Sequence, residues 1–328
     1  MKKIRWGIIG CGDVTEVKSG PGFQKAEGSE LAAVMRRNGA LAEDYAARHG
    51  VPAWYNNADS LIEDPAVDAV YIATPPAFHK EYTLKAATAR KPIYVEKPMA
   101  LHYEDCREMV DACRKYEVPL FVAYYRRALP KFLAILDIIK SGEIGDVRCV
   151  HVNMCKPSSQ DEINPESLPW RVLPVVSGGG YFMDLGSHTF DLLDFYFGPV
   201  REVRGFSSNQ GGYYPAEDIV TGSWVFESGV HGTGTWCFTA GESLDQVTVF
   251  GSRGSIRFSV FEFEPIRVTV PRSDGSEIIT REVTYSIPEH AQQPLIQTVV
   301  RELLGETGAC PSTGESGLRS AWVLDALK

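Results

Sequence analysis

No stretch of this sequence approaches the roughly 20 consecutive apolar residues that cross a bilayer, so no membrane-spanning helix is expected. There is no cluster of lysine and arginine either, and the formal net charge is -9. A nucleic-acid binder must neutralise phosphates with grouped cations, which argues against that class of partner. Seven cysteines are present: Cys11, Cys106, Cys113, Cys149, Cys155, Cys237 and Cys310. None forms a C-x-x-C pair, and the odd count suits neither a zinc site nor a disulfide framework. Reduced thiols in a cytoplasmic protein are the expectation. Lys2-Lys3 leads into the apolar run Ile4–Ile9, but Gly10 ends that run far below the length of a secretory signal core. Internal repeats and low-complexity linkers are also missing.

What is present suits a folded chain with two cores. Its 328 residues exceed what one ordinary core organises, and 44% hydrophobic with 23% charged residues shows no bias toward disorder. In the first third, Ile4–Ile9, Leu31–Met35, Ala69–Ala73, Ile93–Val95 and Leu120–Ala123 read as strands. Ala40–His49, Phe78–Ala89 and Tyr103–Tyr116 carry helical periodicity between them. Strands apolar nearly throughout belong in a parallel sheet covered on both faces. Residues 1–123 are therefore expected to form a doubly wound α/β Rossmann domain. Beyond them, Lys131–Lys140 reads as a helix, and Gly178-Gly179-Gly180 precedes a long helical pattern from Tyr181 to Phe197. From Val200 to about Tyr285 the text is strand-like, with Ile219–Phe226, Val230–Phe238, Gln246–Phe250, Ser255–Val260 and Ile266–Val270 joined by short turns. Such turns imply antiparallel pairing. Helices near Gln293–Leu304 and Gly314–Leu327 finish the chain. Residues 124–328 are expected to be an α+β domain with a predominantly antiparallel open sheet, for substrate binding and oligomerisation.

The first strand runs into Gly10-Cys11-Gly12-Asp13-Val14-Thr15. The first glycine permits a tight turn, and the second lets backbone approach a pyrophosphate at the next helix's N-terminus. Gly10, Gly12, Asp13 and Val14 are thus candidates for dinucleotide binding, with Thr15 where a third glycine usually stands. A G-x-G after any buried strand is also an ordinary turn; its place at the head of a βαβ pattern favours the nucleotide. The second strand ends in Arg36-Arg37-Asn38, without the acidic residue that holds a ribose 2′-hydroxyl about 20 residues past the glycines. Two guanidinium groups pair with a 2′-phosphate, so NADP is expected, with NAD or a merely solvated arginine pair as the alternatives. Lys18-Ser19-Gly20-Pro21-Gly22 falls where the first helix should continue. It predicts a short or broken helix with an exposed loop, either inert or reaching the cofactor phosphates or substrate through Lys18 or Ser19.

Tyr94-Val95-Glu96-Lys97-Pro98 ends the strand Ile93–Val95, placing Lys97 where doubly wound sheets bind ligands. A partly desolvated lysine there can exchange a proton with a carbinol oxygen. In the Tyr181–Phe197 pattern, Asp184, His188 and Asp191 are four and three residues apart, hence on one helix face. Leu185, Thr189, Leu192 and Tyr196 form the adjacent stripe that can seat the helix in the core. The polar stripe is either functional or a solvent-facing surface whose first carboxylate complements the helix dipole.

Taken in order, several motifs together resemble the glucose-fructose oxidoreductase/inositol dehydrogenase family, Gfo/Idh/MocA. They are Gly10-Cys11-Gly12, Ala73-Thr74-Pro75-Pro76 with His79, Glu96-Lys97-Pro98, Tyr125-Arg126-Arg127, Trp170-Arg171, and Gly178-Gly179-Gly180 followed by Asp184, Gly186, His188 and Asp191. The resemblance implies that Lys97 is the catalytic lysine and that Asp184 and His188 hold and deprotonate the reacting hydroxyl. It places Thr74, Pro75, His79 and Glu96 near the cofactor's ribose and nicotinamide. It also implies a Rossmann domain followed by an open sheet, and a homodimer or homotetramer built through that sheet. Thr15, Gly20-Pro21-Gly22 and Tyr125, where many relatives have asparagine, depart from the common pattern.

The expected reaction is reversible hydride transfer between a nicotinamide and a secondary alcohol or carbonyl. Lys97 acts as general acid/base, His188 hydrogen-bonds the same oxygen or takes that role, and Asp184 orients the pair. Tyr124, Tyr125, Arg126, Trp170, Arg171 and Tyr181 are candidates for the substrate wall. Aromatic faces beside hydrogen-bonding groups suit a sugar-like or polyol substrate, while an arginine there would also select a carboxylate or phosphate. No convincing metal ligand set stands out. Two rival readings are a cofactor-retaining glycosidase-type relative and a non-catalytic nucleotide-sensing regulator. The joint presence of Lys97, Asp184 and His188 counts against the regulator.

Overall fold

The computed structural model describes residues 2–272 and 277–328. The chain divides into two compact units, Met1–Leu129 with Pro288–Ala321 and Pro130–Ile287 with Trp322–Lys328.

The first unit is built on six strands: β1 (Ile4–Ile9), β2 (Ser29–Met35), β3 (Ala53–Tyr55), β4 (Ala69–Ile72), β5 (Ile93–Val95) and β6 (Leu120–Val122). All pair in parallel, in the order β3-β2-β1-β4-β5-β6. The order reverses between β1 and β4, and a sheet of this kind offers a crevice at the carboxyl ends of its strands there. Both faces are covered. On one, Trp6 and Ile8 of β1 pack with Phe23, Tyr45 and the stripe Leu295, Ile296, Val299 and Val300 of the helix Gln293–Leu303. On the other, Val70 and Ile72 of β4 pack with Met109, Val110 and Cys113 of the helix Tyr103–Lys115. Complete coverage explains why these strands carry so few polar residues. The helix Gln293–Leu303, far along the chain, completes this core; truncating a wholly buried residue such as Ile296 to alanine costs about 2–5 kcal/mol. Strand β3 and the helix Ala58–Glu63 are too short to show a period in the sequence.

The sequence predicts an exposed loop over Lys18-Ser19-Gly20-Pro21-Gly22, and the structure corrects this. The first helix, Asp13–Val17, is followed directly by a second, Gly20–Lys25, in whose first turn Pro21 is tolerated because its missing N–H would have no helical partner. Ser19, Gly20 and Gly22 are buried, and only Lys18 is exposed. A Cβ on Gly20 would stand 2.2 Å from the Thr15 carbonyl oxygen and 2.6 Å from the Tyr45 hydroxyl. That hydroxyl donates to the same carbonyl at 2.9 Å. Glycine is needed here for close approach, not for a surface turn.

The second unit holds β7 (Val147–Cys155), β8 (Val200–Ser208), β9 (Ile219–Phe226), β10 (His231–Cys237), β11 (Leu244–Gly251), β12 (Ser255–Phe258), β13 (Ile266–Pro271) and β14 (Ile278–Val283). Their order is β14-β13-β12-β11-β7-β10-β9-β8, antiparallel at every pairing except β7 with β10. The α/β plus mainly antiparallel α+β class read from the sequence is therefore present. Strand β7, unassigned in the sequence, alternates cleanly: Val150, Val152 and Met154 are buried, His151 and Asn153 exposed. The predicted helix Tyr181–Phe197 is two segments, a π turn at Phe182–Gly186 and an α-helix at Ser187–Phe197. π turns inserted into helices often mark functional sites. The α segment is buried almost all round, and Phe190 packs on Trp224 and Trp236 with ring centroids 4.9 and 5.4 Å apart. Among the described residues, no helix is long and apolar enough to cross a membrane.

Candidate active site

The cofactor candidates cluster at the carboxyl ends of β1, β2 and β4. Gly10 has φ +92°, and a Cβ there would press to 2.8 Å from the Thr74 methyl and 3.0 Å from the Thr74 nitrogen. The turn after β1 must therefore be glycine, and it lies directly against the loop after β4. Thr15, which replaces the usual third glycine, is wholly buried. Its hydroxyl donates to the Gly12 carbonyl at 2.7 Å and accepts from the Gly12 N–H at 2.9 Å, so the Gly12 amide is already bonded within the turn. Asp13 opens the short helix and is exposed, with Val14 beside it half-buried. Among the described residues, the hydroxyl of Thr74, which packs against Gly10, is buried without a hydrogen-bond partner. A buried unpaired hydroxyl is costly unless a ligand completes it, which fits a nucleotide in this crevice.

Arg36 and Arg37 are exposed at the end of β2, and among the described residues neither makes a carboxylate ion pair. The Arg37 guanidinium lies 4.9 Å above the Phe78 ring, which holds it beside the segment after Pro75. Arg36 acts on Cys11: burial pushes that thiol up to about 11, and the Arg36 charge opposes the shift. His79 is fully buried. Its Nε2 is 2.7 Å from the Thr74 carbonyl oxygen, and its Nδ1 is 3.0 Å from that of Pro98. The imidazole thus bridges the loops after β4 and β5, and burial lowers its pKa against the opposing pull of those carbonyls and Glu96.

Glu96 and Lys97 follow β5. Glu96 is 7% exposed, and its Oε1 accepts from the Tyr71 hydroxyl at 2.6 Å and from the Gln292 side-chain amide at 2.7 Å. The Ser19 hydroxyl lies 3.1 Å from the Tyr71 oxygen, and the Lys97 N–H donates to Glu96 Oε2 at 3.2 Å. Burial first, and Glu96 second, push the Tyr71 phenol well above its ordinary range, so it remains a donor. Lys97 is half-buried, and the Lys97–Pro98 peptide is cis. Tyr71 and Gln292 carry no motif and were not among the candidates, whereas Ser19, a candidate for reaching the cofactor phosphates or substrate, is buried against Tyr71. Nearby in the chain, the buried Arg126 guanidinium lies 4.9 Å above the half-buried Tyr125 ring, and buried Arg127 donates to the Pro311 carbonyl at 2.9 Å.

In the second unit, Trp170, Arg171 and Asp184 come together. Arg171 Nε donates to Asp184 Oδ2 at 3.2 Å, and the guanidinium lies 4.5 Å above the Trp170 ring. Asp184 sits in the π turn, and His188 opens the following helix at 3% exposure, its ring edge-on to Phe261 with centroids 5.8 Å apart. Asp191 is 1% exposed. A solvent-facing polar stripe, one of the two readings of this helix, is thereby ruled out. Among the described residues, no group of three or more His, Cys, Asp or Glu side chains is arranged to hold a metal ion.

Comparison with known proteins identifies the family. Residues 4–124 match the family described as "Oxidoreductase family, NAD-binding Rossmann fold", and residues 132–257 match the "GFO/IDH/MocA C-terminal domain". The chain is 40% identical over 316 residues to oxidoreductase P35 of Formosa agariphila, covering 96% of each chain. It is 32% identical over 278 residues to the 1,5-anhydro-D-fructose reductase of Ensifer adhaerens, covering 83% of this chain and 81% of that one. The structure of an aldose-aldose oxidoreductase from Caulobacter crescentus, complexed with glycerol, superposes with a TM-score of 0.84 at 25% identity, over 99% and 96% of the two chains. The chain belongs to the Gfo/Idh/MocA family and is an NAD(P)-dependent oxidoreductase with an NAD-binding Rossmann fold.

Proposed function

We propose that the protein transfers a hydride between NADP(H), in preference to NAD(H), and a secondary alcohol or carbonyl of a sugar-like or polyol substrate. When bound, the nicotinamide supplies or accepts the hydride. The chain's own residues do the rest. The Gly10–Val14 turn and the Thr74 hydroxyl bind the nucleotide, Pro75 and His79 shape the loop beside it, and Arg36 and Arg37 pair with a 2′-phosphate. Lys97 gives or takes the proton at the reacting oxygen, while His188 and Asp184 hydrogen-bond and orient that hydroxyl. Trp170 and Arg171, packed on each other and on Asp184, contribute to the substrate wall with Tyr125 and Arg126. A relative named for anhydrofructose reduction and a neighbour complexed with glycerol support the polyhydroxylated substrate class. Copies associate as a dimer or tetramer through the open face of the second sheet, where Phe206 is 84% exposed and Phe250 stacks edge-on to His151.

The observation that carries the catalytic assignment is the buried Glu96 carboxylate, fixed by Tyr71 and Gln292 immediately before Lys97. The test is Lys97→Met, assayed by nicotinamide absorbance across a panel of sugars, sugar lactones and keto-sugars. The expected loss in kcat is about 10²–10⁴-fold, the usual contribution of general acid–base catalysis, with NADP(H) binding kept within a few-fold. Retention of kcat near the native value would remove Lys97 from the mechanism.

A further inference from the structure

Phe78 ends the 3₁₀ turn Pro76–Phe78, in the segment that follows β4, and precedes the helix His79–Thr88. Its backbone is fixed on both sides. The Phe78 N–H donates to the Pro75 carbonyl at 3.0 Å, and the next residue, His79, is wholly buried between the loops after β4 and β5. The ring is half-buried and packs against the core cluster that contains Ile72 and Tyr82. Phe78 is therefore a firm platform, and one that no motif marks.

The Arg37 guanidinium rests on that platform, 4.9 Å from the ring centroid. Its charge also reaches Tyr82: burial first, and Glu81 next, push that phenol up, and Arg37 opposes them. Arg36 acts elsewhere, on Cys11 in the glycine turn, where it opposes the rise that burial causes. The two adjacent arginines thus serve different neighbours, Arg36 the turn after β1 and Arg37 the segment after β4. A guanidinium has a flat face and an edge of five N–H donors. Stacking on an aromatic ring uses the face and leaves the edge for an oxyanion. Among the described residues Arg37 makes no hydrogen bond and no ion pair, so that edge is available to a ligand. A solvated arginine loses rotamer freedom when a phosphate fixes it, and one already seated on a ring loses less.

We propose that Phe78 is a specificity-determining residue for the nucleotide. Stacked under Arg37, it presents the guanidinium edge to a 2′-phosphate and strengthens the preference for NADP(H) over NAD(H) without touching the phosphate itself. The assignment rests on the reading that Arg36 and Arg37 meet that phosphate. The test is titration of the full chain with NADPH and with NADH, followed by nicotinamide fluorescence, and its readout is the ratio of the Kd for NADPH to the Kd for NADH. Phe78→Leu should raise that ratio about three- to tenfold, the size of a lost cation–π contact together with renewed side-chain freedom. Phe78→Met keeps most of the volume without the aromatic face, and should give the same shift should the leucine variant not fold. A packing defect alone moves both affinities and leaves their ratio unchanged. Phe78→Tyr keeps the aromatic face and should hold the ratio near its native value. In an Arg37→Ala background, Phe78→Leu should change the ratio no further, because its effect passes through Arg37. A native ratio in the leucine and methionine variants, an equal shift in Phe78→Tyr, or a full shift in the Arg37→Ala background would overturn the role of Phe78. If Arg37→Ala by itself still raises the ratio, the 2′-phosphate reading survives that loss. A native ratio in Arg37→Ala overturns both for this arginine.

Discussion

The Tyr71 hydroxyl donates a 2.6 Å hydrogen bond to Glu96 Oε1, joining the middle of β4 to the residue that precedes Lys97. Gln292 donates to the same oxygen from 196 residues away, at the start of the helix Gln293–Leu303. A hydrogen bond to a buried charged group contributes about 1.5–3 kcal/mol. Tyr71→Phe and Gln292→Leu should each lower unfolding free energy by about that amount in urea titrations. Each should also reduce kcat more than it weakens NADP(H) binding, since Glu96 neighbours the proposed proton-transfer residue and not the phosphate loop. Variants with native stability and native kcat would show that the bonds are dispensable.

In the proposed function, Arg36 and Arg37 carry the nucleotide preference. The double variant Arg36→Ala/Arg37→Ala should raise KM for NADPH about 10- to 100-fold, as expected from losing charge-assisted bonds of about 1.5–3 kcal/mol. The KM for NADH should change much less, because that nucleotide has no 2′-phosphate. Parallel changes for both nucleotides would place the two arginines outside the 2′-phosphate site.

Gly20 separates the buried second helix from the exposed loop expected from sequence. Gly20→Ala would force a methyl to within 2.2 Å of the Thr15 carbonyl oxygen. Overpacking of this kind costs about 1–3 kcal/mol, so the variant should melt several degrees below the native protein in a thermal scan. A melting temperature unchanged or raised would mean that the segment is a permissive surface turn.

Acid stability should depend on Glu16. Its carboxylate accepts from Arg48 at 2.7 and 3.0 Å and lies 2.7 Å from His49 Nε2. The Arg48 hydrogen bonds first, and His49 next, lower its pKa from 4.5 to about 2. A carboxylate depressed in the folded state adds stability above the unfolded value, and loses it as pH falls through the folded value. The melting temperature of Glu16→Gln should therefore lie below that of the native protein above pH 4.5, with the gap closing toward pH 2. The contribution is modest, since Arg48 is half-exposed and water screens the pair. A gap independent of pH would assign the effect to packing.

Much of the first sheet was legible because its signals are local. A strand buried on both faces is apolar within its own few residues, and the Gly10 turn needs only its own backbone conformation. The ordered motifs from Gly10 to Asp191 likewise declared the family. The candidates Lys97, Asp184 and His188 were legible by type and spacing, but their surroundings were not. That Arg171 pairs with Asp184, that His79 bridges two loops through backbone carbonyls, and that Phe261 abuts His188 are contacts between segments with no shared pattern.

By itself the sequence determined the two-part α/β and α+β architecture, the glycine turn after β1 and the family. Each depends on periodicity or on neighbours a few residues apart. Tertiary structure alone decided that Ser19–Gly22 folds inward, that β7 joins β10 in parallel, and that Gln292 closes the hydrogen-bond set around Glu96. Long-range partners are chosen by shape and by the need to satisfy buried polar groups. A chain written as local preferences does not display that choice until it is packed.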